Sequence, residues 1–274
     1  MMSDAATVAD AAQDQELALL GDALRGIMTS APAHELDSAL ADLGWGDMLT
    51  EMPDVAIPLV FRLLGKTGAH APVLNDVVLH AAGLPIAGTL PLPFSGGKWI
   101  VWERTGVAGT SLDEEIPLYT SDAGEEIGPA AIAAGRRALG WWLVGTSRTM
   151  LSLARTHALD RTQFGKPVAS FQAVRHRLAD TLVAIEGAEA TLLAANDDLG
   201  SLLAKAAAGK AALTAARHCQ QVLGGIGFTA EHDLQRHIRR ALVLDGILGS
   251  AKELTRVAGA LIRSTGSAPR LVQL

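Results

Sequence analysis

One stretch whose residue types could bind a ligand is RTQFG, residues 161–165. It follows a segment of helical character. The planar guanidinium of Arg161 could hold a diphosphate through two parallel hydrogen bonds, and the ring of Phe164 offers a flat face to a base or another ring. The alternative is that Arg161 only caps the carbonyl groups at the end of that helix.

A second stretch is QVLGGIGF, residues 221–228. Gly224 and Gly225 would let the backbone approach a ligand closely, and the amide of Gln221 could recognise a polar edge. Glycines also end helices, and this pair is not the GxGxxG pattern of dinucleotide-binding folds. Taken alone, the stretch is a weak signal.

Long helical segments must position these two stretches. Apolar residues recur at helical spacing up to Asp160, where we expect a helix to end. Pro167 prevents a simple continuation, and Ser170 is expected to cap the next helix. Long helices with short connections predict a four-helix bundle. The predicted helices cover residues 128–160, 171–197, 201–224 and about 247–265, and residues 225–243 are interpreted as a loop.

The remaining sequence divides the chain into three regions. Residues 1–85 are predicted to form short helices, and residues 86–128 a shortened segment of β-type or irregular structure that is rich in turn residues. Residues 129–274 are predicted to form the bundle domain. The predicted fold class is therefore mainly α, with a strongly reduced β segment in the middle.

The composition of the chain excludes several classes of protein. With 274 residues, 49% of them hydrophobic, the chain can bury a large core. A formal net charge of −6 argues against a nucleic-acid partner. The single cysteine, Cys219, is expected to be a small core residue. Because no secretory leader, membrane-spanning run or metal-ligand spacing is recognisable, we expect a cytoplasmic protein with neither a membrane contact nor a metal.

The order and spacing of the two stretches and their flanking helices resemble one family. ARTHALDRTQFGKPVASFQAVRHRLADTLVAIEGAEA and CQQVLGGIGFTAEHDLQRHIRRALVLDGILG are similar to the C-terminal helical domain of acyl-CoA dehydrogenases. The resemblance covers about residues 127–266 and extends weakly into residues 1–85. It implies an FAD-dependent oxidoreductase of lipid metabolism that converts acyl-CoA thioesters to enoyl-CoA.

The resemblance also implies where a flavin would be held. In the family the ADP half of each FAD rests on a neighbouring subunit, where an arginine and backbone amides neutralise the diphosphate. The cofactor-binding residues carried over to this sequence are Arg161, Gln163, Phe164, Phe171, Gln172, Gln221, Gly224 and Gly225.

The carboxylate that the family's reaction requires is missing from both positions where members carry it. This general base removes the α proton of the thioester while the flavin takes the β hydride. The commoner position, 27 residues after Gln221, is Leu248, which is followed by a Gly-Ser pair. The alternative position, 29 residues before Phe164, is Gly135. We therefore expect this chain to carry no catalytic base.

Other titratable residues in this part of the chain are expected to be structural. Asp245 and Glu253 are interpreted as solvated, or as paired with the basic residues beside them in sequence. His232 and His237 are interpreted as packing or surface residues.

The β domain that family members carry between their helical parts is also reduced. Only residues 86–128 occupy that interval, and the family's flavin-contacting motif is not recognisable there. Trp99 and Trp102 are interpreted as one face of a short strand rather than as a flavin platform. Such a chain is expected to hold the reactive half of a flavin poorly.

Together these features resemble the shorter, degenerate subunit of heterotetrameric acyl-CoA dehydrogenases of steroid catabolism. In such an α2β2 assembly a longer partner would supply the base and bind most of the acyl-CoA, and this chain would share the partner's FAD and be inactive alone. Two alternatives remain. One is a self-sufficient homo-oligomeric flavoenzyme that uses Asp245 or a residue of the insert as its base, and the other is a helical interaction protein that binds no flavin.

Overall fold

The computed structural model describes residues 2–104 and 115–266, with residues 2–13 as backbone only. In the described part of the chain, five helices precede the first strand, as expected for a helical N-terminal region. Four of them are short, whereas the first has 29 residues. They are α1 (Met2–Ser30), α2 (Leu36–Asp42), α3 (Trp45–Glu51), α4 (Pro53–Thr67) and α5 (Val73–Ala81).

Helix α4 shows how the sequence sets the helix ends in this region. Pro53 lies in its first turn, where a backbone N–H has no helical acceptor to bond. Gly68 ends the helix with a left-handed φ of 73°, and its N–H donates to the carbonyl of Leu64. On the buried face Phe61 meets Trp142 edge to face, with ring centroids 5.7 Å apart. The N-terminal helices therefore share one core with the long helix that contains Trp142.

The middle segment forms a three-stranded antiparallel sheet. Its strands β1 (Pro91–Phe94), β2 (Lys98–Trp102) and β3 (Leu118–Ser121) pair in the order β1-β2-β3. This small sheet agrees with the reduced β content that the sequence predicts. Residues 105–114 of the segment lie outside the described residues.

The interpretation of Trp99 and Trp102 as one face of a strand is wrong. Successive side chains of a strand point to opposite faces, so residues three positions apart lie on different faces. Trp102 is fully buried and stacks on Trp142, with ring centroids 5.5 Å apart. Trp99 is half-buried on the other face and packs against Gly124.

Five further helices form the C-terminal domain among the described residues. Helices α6, α7 and α8 are long and mutually packed, and α9 lies on α6 and α8 while α10 lies on α8. None of the described helices is long and apolar enough to cross a membrane. Residues 267–274 lie outside the described part. The helices are α6 (Pro129–Asp160), α7 (Gln172–Leu193), α8 (Asp198–Leu223), α9 (Leu234–Gly246) and α10 (Ala251–Thr265).

Helix α9 replaces most of the loop predicted for residues 225–243. Its buried residues recur with helical spacing, although several basic residues between them obscure the apolar pattern. Helix α10 then begins at Ala251, which is later than the predicted start near residue 247, because a tight turn separates it from α9. That turn contains the commoner base position of the resemblance.

Glycines allow α4 and α6 to approach each other closely. A Cβ on Gly145 would lie 2.2 Å from the carbonyl oxygen of Arg62, and a Cβ on Gly65 would lie 2.4 Å from that of Trp142. Real Cβ atoms do not make such contacts, so these positions require glycine. The abundance of small residues is therefore part of the helix packing.

Candidate functional site

Helix α6 ends where the first of the two stretches begins. The N–H of Arg161 donates to the carbonyl of His157 at 2.9 Å, and the carbonyl of Arg161 accepts from the N–H of Val168 at 2.8 Å. Between these bonds, β4 (Thr162–Gln163) and β5 (Lys166–Pro167) form an exposed hairpin. The backbone of Arg161 thus ends the helix, whereas its exposed guanidinium bonds to none of the residues that the structure describes.

Two aromatic rings lie in and after this hairpin. Phe164 is 91% exposed and adopts an unusual positive φ of 53° at the tip. Its ring meets that of Phe171 nearly at right angles, with centroids 6.2 Å apart. The ammonium of Lys166 lies 4.6 Å from the centroid of the Phe171 ring. Because a phenylalanine gains stability by burial, this pair of one exposed and one half-buried ring is suited to covering a flat ligand.

Lys166 was not among the residues that the sequence singles out. It lies in the same segment as Arg161, and a second cation two residues after Phe164 was the signal that could have identified it. Its position over Phe171 adds positive charge to the hairpin, and this charge favours an anionic ligand there.

The start of α7 lies directly after the hairpin. The predicted cap at Ser170 is wrong by one residue, because a 3₁₀ turn (Val168–Ser170) continues through it and Phe171 is the N-cap. Gln172, the first residue of α7, is exposed, and its Nε2 lies 3.4 Å from Nε2 of His176. The amide of Gln163 donates to the neighbouring carbonyl of Thr162 at 2.9 Å.

The second stretch ends α8 at the same end of the bundle, since short connections make α6, α7 and α8 successively antiparallel. Gly224 has a φ of 62° and a ψ of −137°, a conformation that glycine adopts far more easily than other residues. A Cβ on Gly224 or on Gly225 would meet no atom within 4 Å. With the exposed Gln221 before them, these glycines present accessible backbone.

Gly227 differs from the glycine pair that precedes it. It is buried, and its carbonyl accepts from the amide of Gln220 at 3.3 Å and from the amide of Gln235. The stretch therefore has an anchored part around Gly227 and an open part at Gly224 and Gly225. We call Arg161, Phe164, Gln221 and Gly224 the open end of the bundle.

A cavity of about 410 Å³ lies beside the end of α6. Arg161, His157 and Asp160 line it from the end of α6, and His232 lines it from the loop before α9. Burial lowers the pKa of His157, and the neighbouring His232 and Arg161 lower it further. His232 also accepts the N–H of Leu234 at 3.0 Å, a structural role at the start of α9.

The two missing base positions face each other near the other end of α6. Leu248 is 1% exposed, and its Cδ1 would lie 2.6 Å from a Cβ placed on Gly135. A Cγ of Val78 would lie 2.9 Å from the same Cβ. The two base positions, found by counting from Gln221 and from Phe164, are therefore neighbours in the structure. Apolar side chains fill that point, and no room remains there for a side chain on residue 135.

Leu248 is held in a backbone conformation that does not suit a leucine. Its φ is 57°, in the left-handed region that side chains with a Cβ disfavour. Its N–H donates to the carbonyl of Pro93 in β1 at 2.8 Å, and its carbonyl accepts from Nε of Arg136 at 3.1 Å. Contacts from the sheet and from α6 therefore fix this turn, residues 246–250, which we call the sealed turn.

A buried lysine supports the same turn from α8. The ammonium of Lys205 donates to the carbonyl of Asp245 at 2.6 Å and to the carbonyl of Gly249 at 2.7 Å. Lys205 is fully buried, and burial lowers its pKa to about 7 although the nearby carboxylate of Asp245 opposes the shift. Sequence reasoning missed Lys205 because a lysine in an alanine-rich helix usually faces water.

Asp245 is neither solvated nor paired with Arg239, Arg240 or Lys252, so that interpretation is wrong. It is 8% exposed, and its Oδ1 accepts the N–H of Ala251 at 3.0 Å. Its carboxylate therefore caps the start of α10.

Glu253 also has a structural role. Its Oε1 accepts the N–H of Gly96 at 2.9 Å, and its Oε2 accepts the N–H of Ser250 at 2.9 Å in a capping box. These bonds, with that from Gly96 the strongest influence, lower the pKa of Glu253. The carboxylate is thereby stabilised in its charged form at the edge of the sealed turn.

His237 and Cys219 are core residues in this structure, as the sequence indicates. Burial lowers the pKa of His237 to about 4, helped by Arg236 and Arg240, so the imidazole is neutral at pH 7. Burial raises the pKa of Cys219 to about 12, so its thiol stays protonated. Within residues 2–104 and 115–266, no three His, Cys, Asp or Glu side chains are grouped so that they could hold a metal ion.

Comparison with known proteins assigns residues 124–257 to the family model of the acyl-CoA dehydrogenase C-terminal domain. Acyl-CoA dehydrogenase IpdE2 of Mycolicibacterium smegmatis is 34% identical over 148 residues, which cover 53% of this chain and 47% of that protein. The chain spans about half the length of the curated relatives it matches.

Two solved structures share the fold. A variant of the Tcur3481-Tcur3483 steroid ACAD superposes with a TM-score of 0.72 at 19% identity, covering 93% of this chain and 99% of that chain. The ChsE4-ChsE5 complex from Mycobacterium tuberculosis superposes with a TM-score of 0.65 at 18% identity, covering 93% of this chain and 98% of that chain.

Proposed function

We propose that this chain is the subunit without a catalytic base in a heteromeric, FAD-dependent acyl-CoA dehydrogenase. The chain belongs to the acyl-CoA dehydrogenase family through its C-terminal domain. Its role is to hold the ADP half of an FAD whose reactive ring lies in a longer partner subunit. The partner supplies the base and binds most of the acyl-CoA substrate.

The observation that carries this proposal is the packing of Leu248 against Gly135. Both positions at which family members carry the base meet there, and both lack a carboxylate. A general base contributes on the order of 10²–10⁴ in rate. The carboxylates nearest in sequence, those of Asp245 and Glu253, accept backbone N–H bonds that hold α10, so neither is free to take a proton from a substrate.

The residues of the open end suit the ADP half of FAD. The guanidinium of Arg161 would pair with the diphosphate, and the exposed backbone at Gly225 is open to the approach of the same group. The N–H of Gly224 already donates to the carbonyls of Gln220 and Gln221 at the end of α8. The exposed ring of Phe164 and the half-buried ring of Phe171 would cover the adenosine. FAD, when bound, supplies the acceptor for the substrate's hydride.

The distance between the two sites supports sharing between subunits. Gly135 lies in α6, and Arg161 directly follows its last residue. The 26 residues between these positions correspond to about 40 Å along the helix. One small molecule cannot touch both. Arg161 therefore serves a flavin other than the one that a base at Leu248 would serve.

The partner and the substrate follow by analogy with similar proteins. The ChsE4-ChsE5 structure is a complex of two different chains, and the Tcur3481-Tcur3483 protein is a steroid ACAD. We propose an α2β2 assembly of this kind, with a CoA thioester that carries a steroid-derived acyl group as its substrate. The reaction is α,β-desaturation of that acyl group.

An activity assay on carboxylate variants tests this function. The chain is co-produced with the full-length acyl-CoA dehydrogenase chain that co-purifies with it, and acyl-CoA oxidation is followed with an artificial electron acceptor. Replacing Asp245 with Asn should leave turnover within about threefold of the unmodified complex, because this chain supplies no base. Replacing the partner's catalytic glutamate with Gln should abolish turnover. A loss of more than about a hundredfold with Asp245→Asn, in a complex that stays folded, would contradict the proposal and favour a self-sufficient enzyme.

A further inference from the structure

An apolar groove with a basic rim lies on the outer side of the bundle. It has a volume of about 690 Å³ between α8, α9 and α10. Leu213, Ile238 and Leu242 form its floor, and Leu242 is 52% exposed. An exposed leucine in a concave, apolar surface of this size is typical of an interaction site.

The charges around this groove have one sign. Lys210 and Arg217 of α8 and Lys252 of α10 line it, all three are exposed, and no acidic residue lines it. None of the three forms an ion pair with another described residue. On a chain with a net charge of −6, this local excess of positive charge selects a partner surface that is acidic and apolar together.

The outer face of α1 has that character. Leu24 and Met28 bury the other face of the helix in the core, whereas Leu19 is 63% exposed. Glu16 and Asp22 lie three residues before and after Leu19 and flank it on the helix surface. Asp22 pairs with Arg25 at 2.7 Å, but both side chains are largely exposed, so that pair is weak.

The first described side chains of α1, at residues 14–20, pack little on their own chain, since none is buried and Leu20 lies only partly buried against the core. The first 24 residues contain no basic residue, so no positive charge precedes Leu19 in the sequence. The helix therefore presents the exposed Leu19 between two acidic residues.

We infer that the outer face of α1 docks into the α8–α9–α10 groove of a second copy of this chain. The side chain of Leu19 would cover Leu242 and its neighbours, and Glu16 and Asp22 would face the basic rim. A two-fold axis makes the contact reciprocal, so that each copy gives one helix and receives one. This inference is independent of any flavin or acyl-CoA and adds a contact between two copies of the chain.

A charge-swap experiment tests this docking. One variant reverses the groove (Lys210→Glu, Arg217→Glu, Lys252→Glu) and another reverses the helix (Glu16→Lys, Asp22→Lys). The unmodified chain, purified without the long subunit so that only contacts between copies can pair it, should show two copies per particle by native mass spectrometry. Each variant alone should raise the dissociation constant of the pair by roughly tenfold or more, because like charges then meet. Mixing the two variants should restore pairs that contain one copy of each.

The matched control reverses three exposed cations outside the groove (Lys98→Glu, Arg256→Glu, Arg263→Glu) and should leave the pair intact. A single copy in the unmodified protein would overturn the inference. So would variants that keep two copies, or a mixture that forms no mixed pair. If the groove variant instead loses the long subunit from a co-produced complex, while the chain alone keeps two copies, the groove belongs to that subunit. This result would also overturn the inference.

Discussion

The two ends of helix α6 differ in what surrounds them. Around Arg161, the side chains and the glycine backbone are exposed, and the local groups are largely basic. Around Gly135, the space is filled by Leu248 and Val78, and the backbone of the sealed turn is held by buried or half-buried cations. Helix α6 therefore runs from a filled interior at Gly135 to an open surface at Arg161.

In the proposed assembly, this contrast would let the chain hold part of a cofactor without carrying a catalytic base. The sealed turn keeps a backbone geometry in which φ at Leu248 is positive, although a leucine gains nothing from it. Strain of this kind persists only when surrounding contacts impose it, and here Pro93, Arg136 and Lys205 do so. The closed end has become core, while the open end has no such packing and would be stabilised by a ligand.

The largest effect is expected from returning a carboxylate to the closed end. Leu248→Glu would place a charge beside Gly135, where the nearest side chains, Val78 and Leu74, are apolar. We expect the free energy of unfolding to fall by about 3–5 kcal/mol and no dehydrogenase activity to appear. Urea unfolding and an acyl-CoA oxidation assay measure the two results.

Leu261→Glu is the matched control, because Leu261 is 44% exposed and a charge there remains in water. It should change the free energy of unfolding by less than about 0.5 kcal/mol. Turnover by the Leu248→Glu chain without a partner would show that the closed end still accepts a substrate.

The next largest effect concerns the lysine beneath the sealed turn. Lys205→Met would leave the carbonyls of Asp245 and Gly249 buried without their donor. We expect a loss of about 2–3 kcal/mol in the free energy of unfolding at pH 7. Lys210→Met, an exposed lysine on the same helix, should cost less than about 0.5 kcal/mol. Equal effects of the two substitutions would show that Lys205 does not hold the turn.

Lys205 also predicts a pH dependence. Its pKa is about 7 in the folded chain, against 10.5 for an unperturbed lysine, so the unfolded chain binds more protons between these values. Stability should therefore gain a rising contribution as pH increases from about 7 toward 10, of at most about 1.4 kcal/mol per pH unit. The Lys205→Met chain should lack this contribution. Parallel stability curves for the two chains over this range would refute the assignment.

The smallest effect on stability, but a clear one on the cofactor, is expected at the open end. Arg161→Ala should change the free energy of unfolding by less than about 0.5 kcal/mol, because its exposed guanidinium bonds to no described residue. In the complex with the long subunit, FAD occupancy at limiting FAD should fall severalfold as a charge-assisted pair is lost. Arg155→Ala, an exposed arginine on the same helix, should not change occupancy.

The sequence predicts the parts of this structure that depend on periodicity and on breakers. The end of α6 before Arg161 and the end of α8 at Gly224 are where the apolar pattern and the glycines indicate. Helix α9 was not predicted because His237 and Arg240 occupy two positions of its buried face, so that face does not read as an apolar pattern in the sequence. The spacing of Trp99 and Trp102 already places them on different faces of a strand, because successive side chains alternate, so that error did not come from missing structural information.

For the site, the sequence supplies residue identities but not environments. Counting along the chain identifies Leu248 and Gly135, yet only the fold shows that they touch. Asp245 and Lys205 look like ordinary charged residues in the sequence, whereas the packing of α8 against the sealed turn buries both. Burial of a charge depends on tertiary contacts that no local pattern encodes.

The flavin content of the chain, measured by visible absorbance, tests the proposed function most directly. It is measured on the chain purified alone and on the chain in complex with the full-length acyl-CoA dehydrogenase chain that co-purifies with it. The account predicts a colourless chain alone and a yellow complex with one FAD per pair of unlike subunits. A yellow chain alone, with one FAD per copy, would contradict it, because the chain would then hold a whole flavin without a partner.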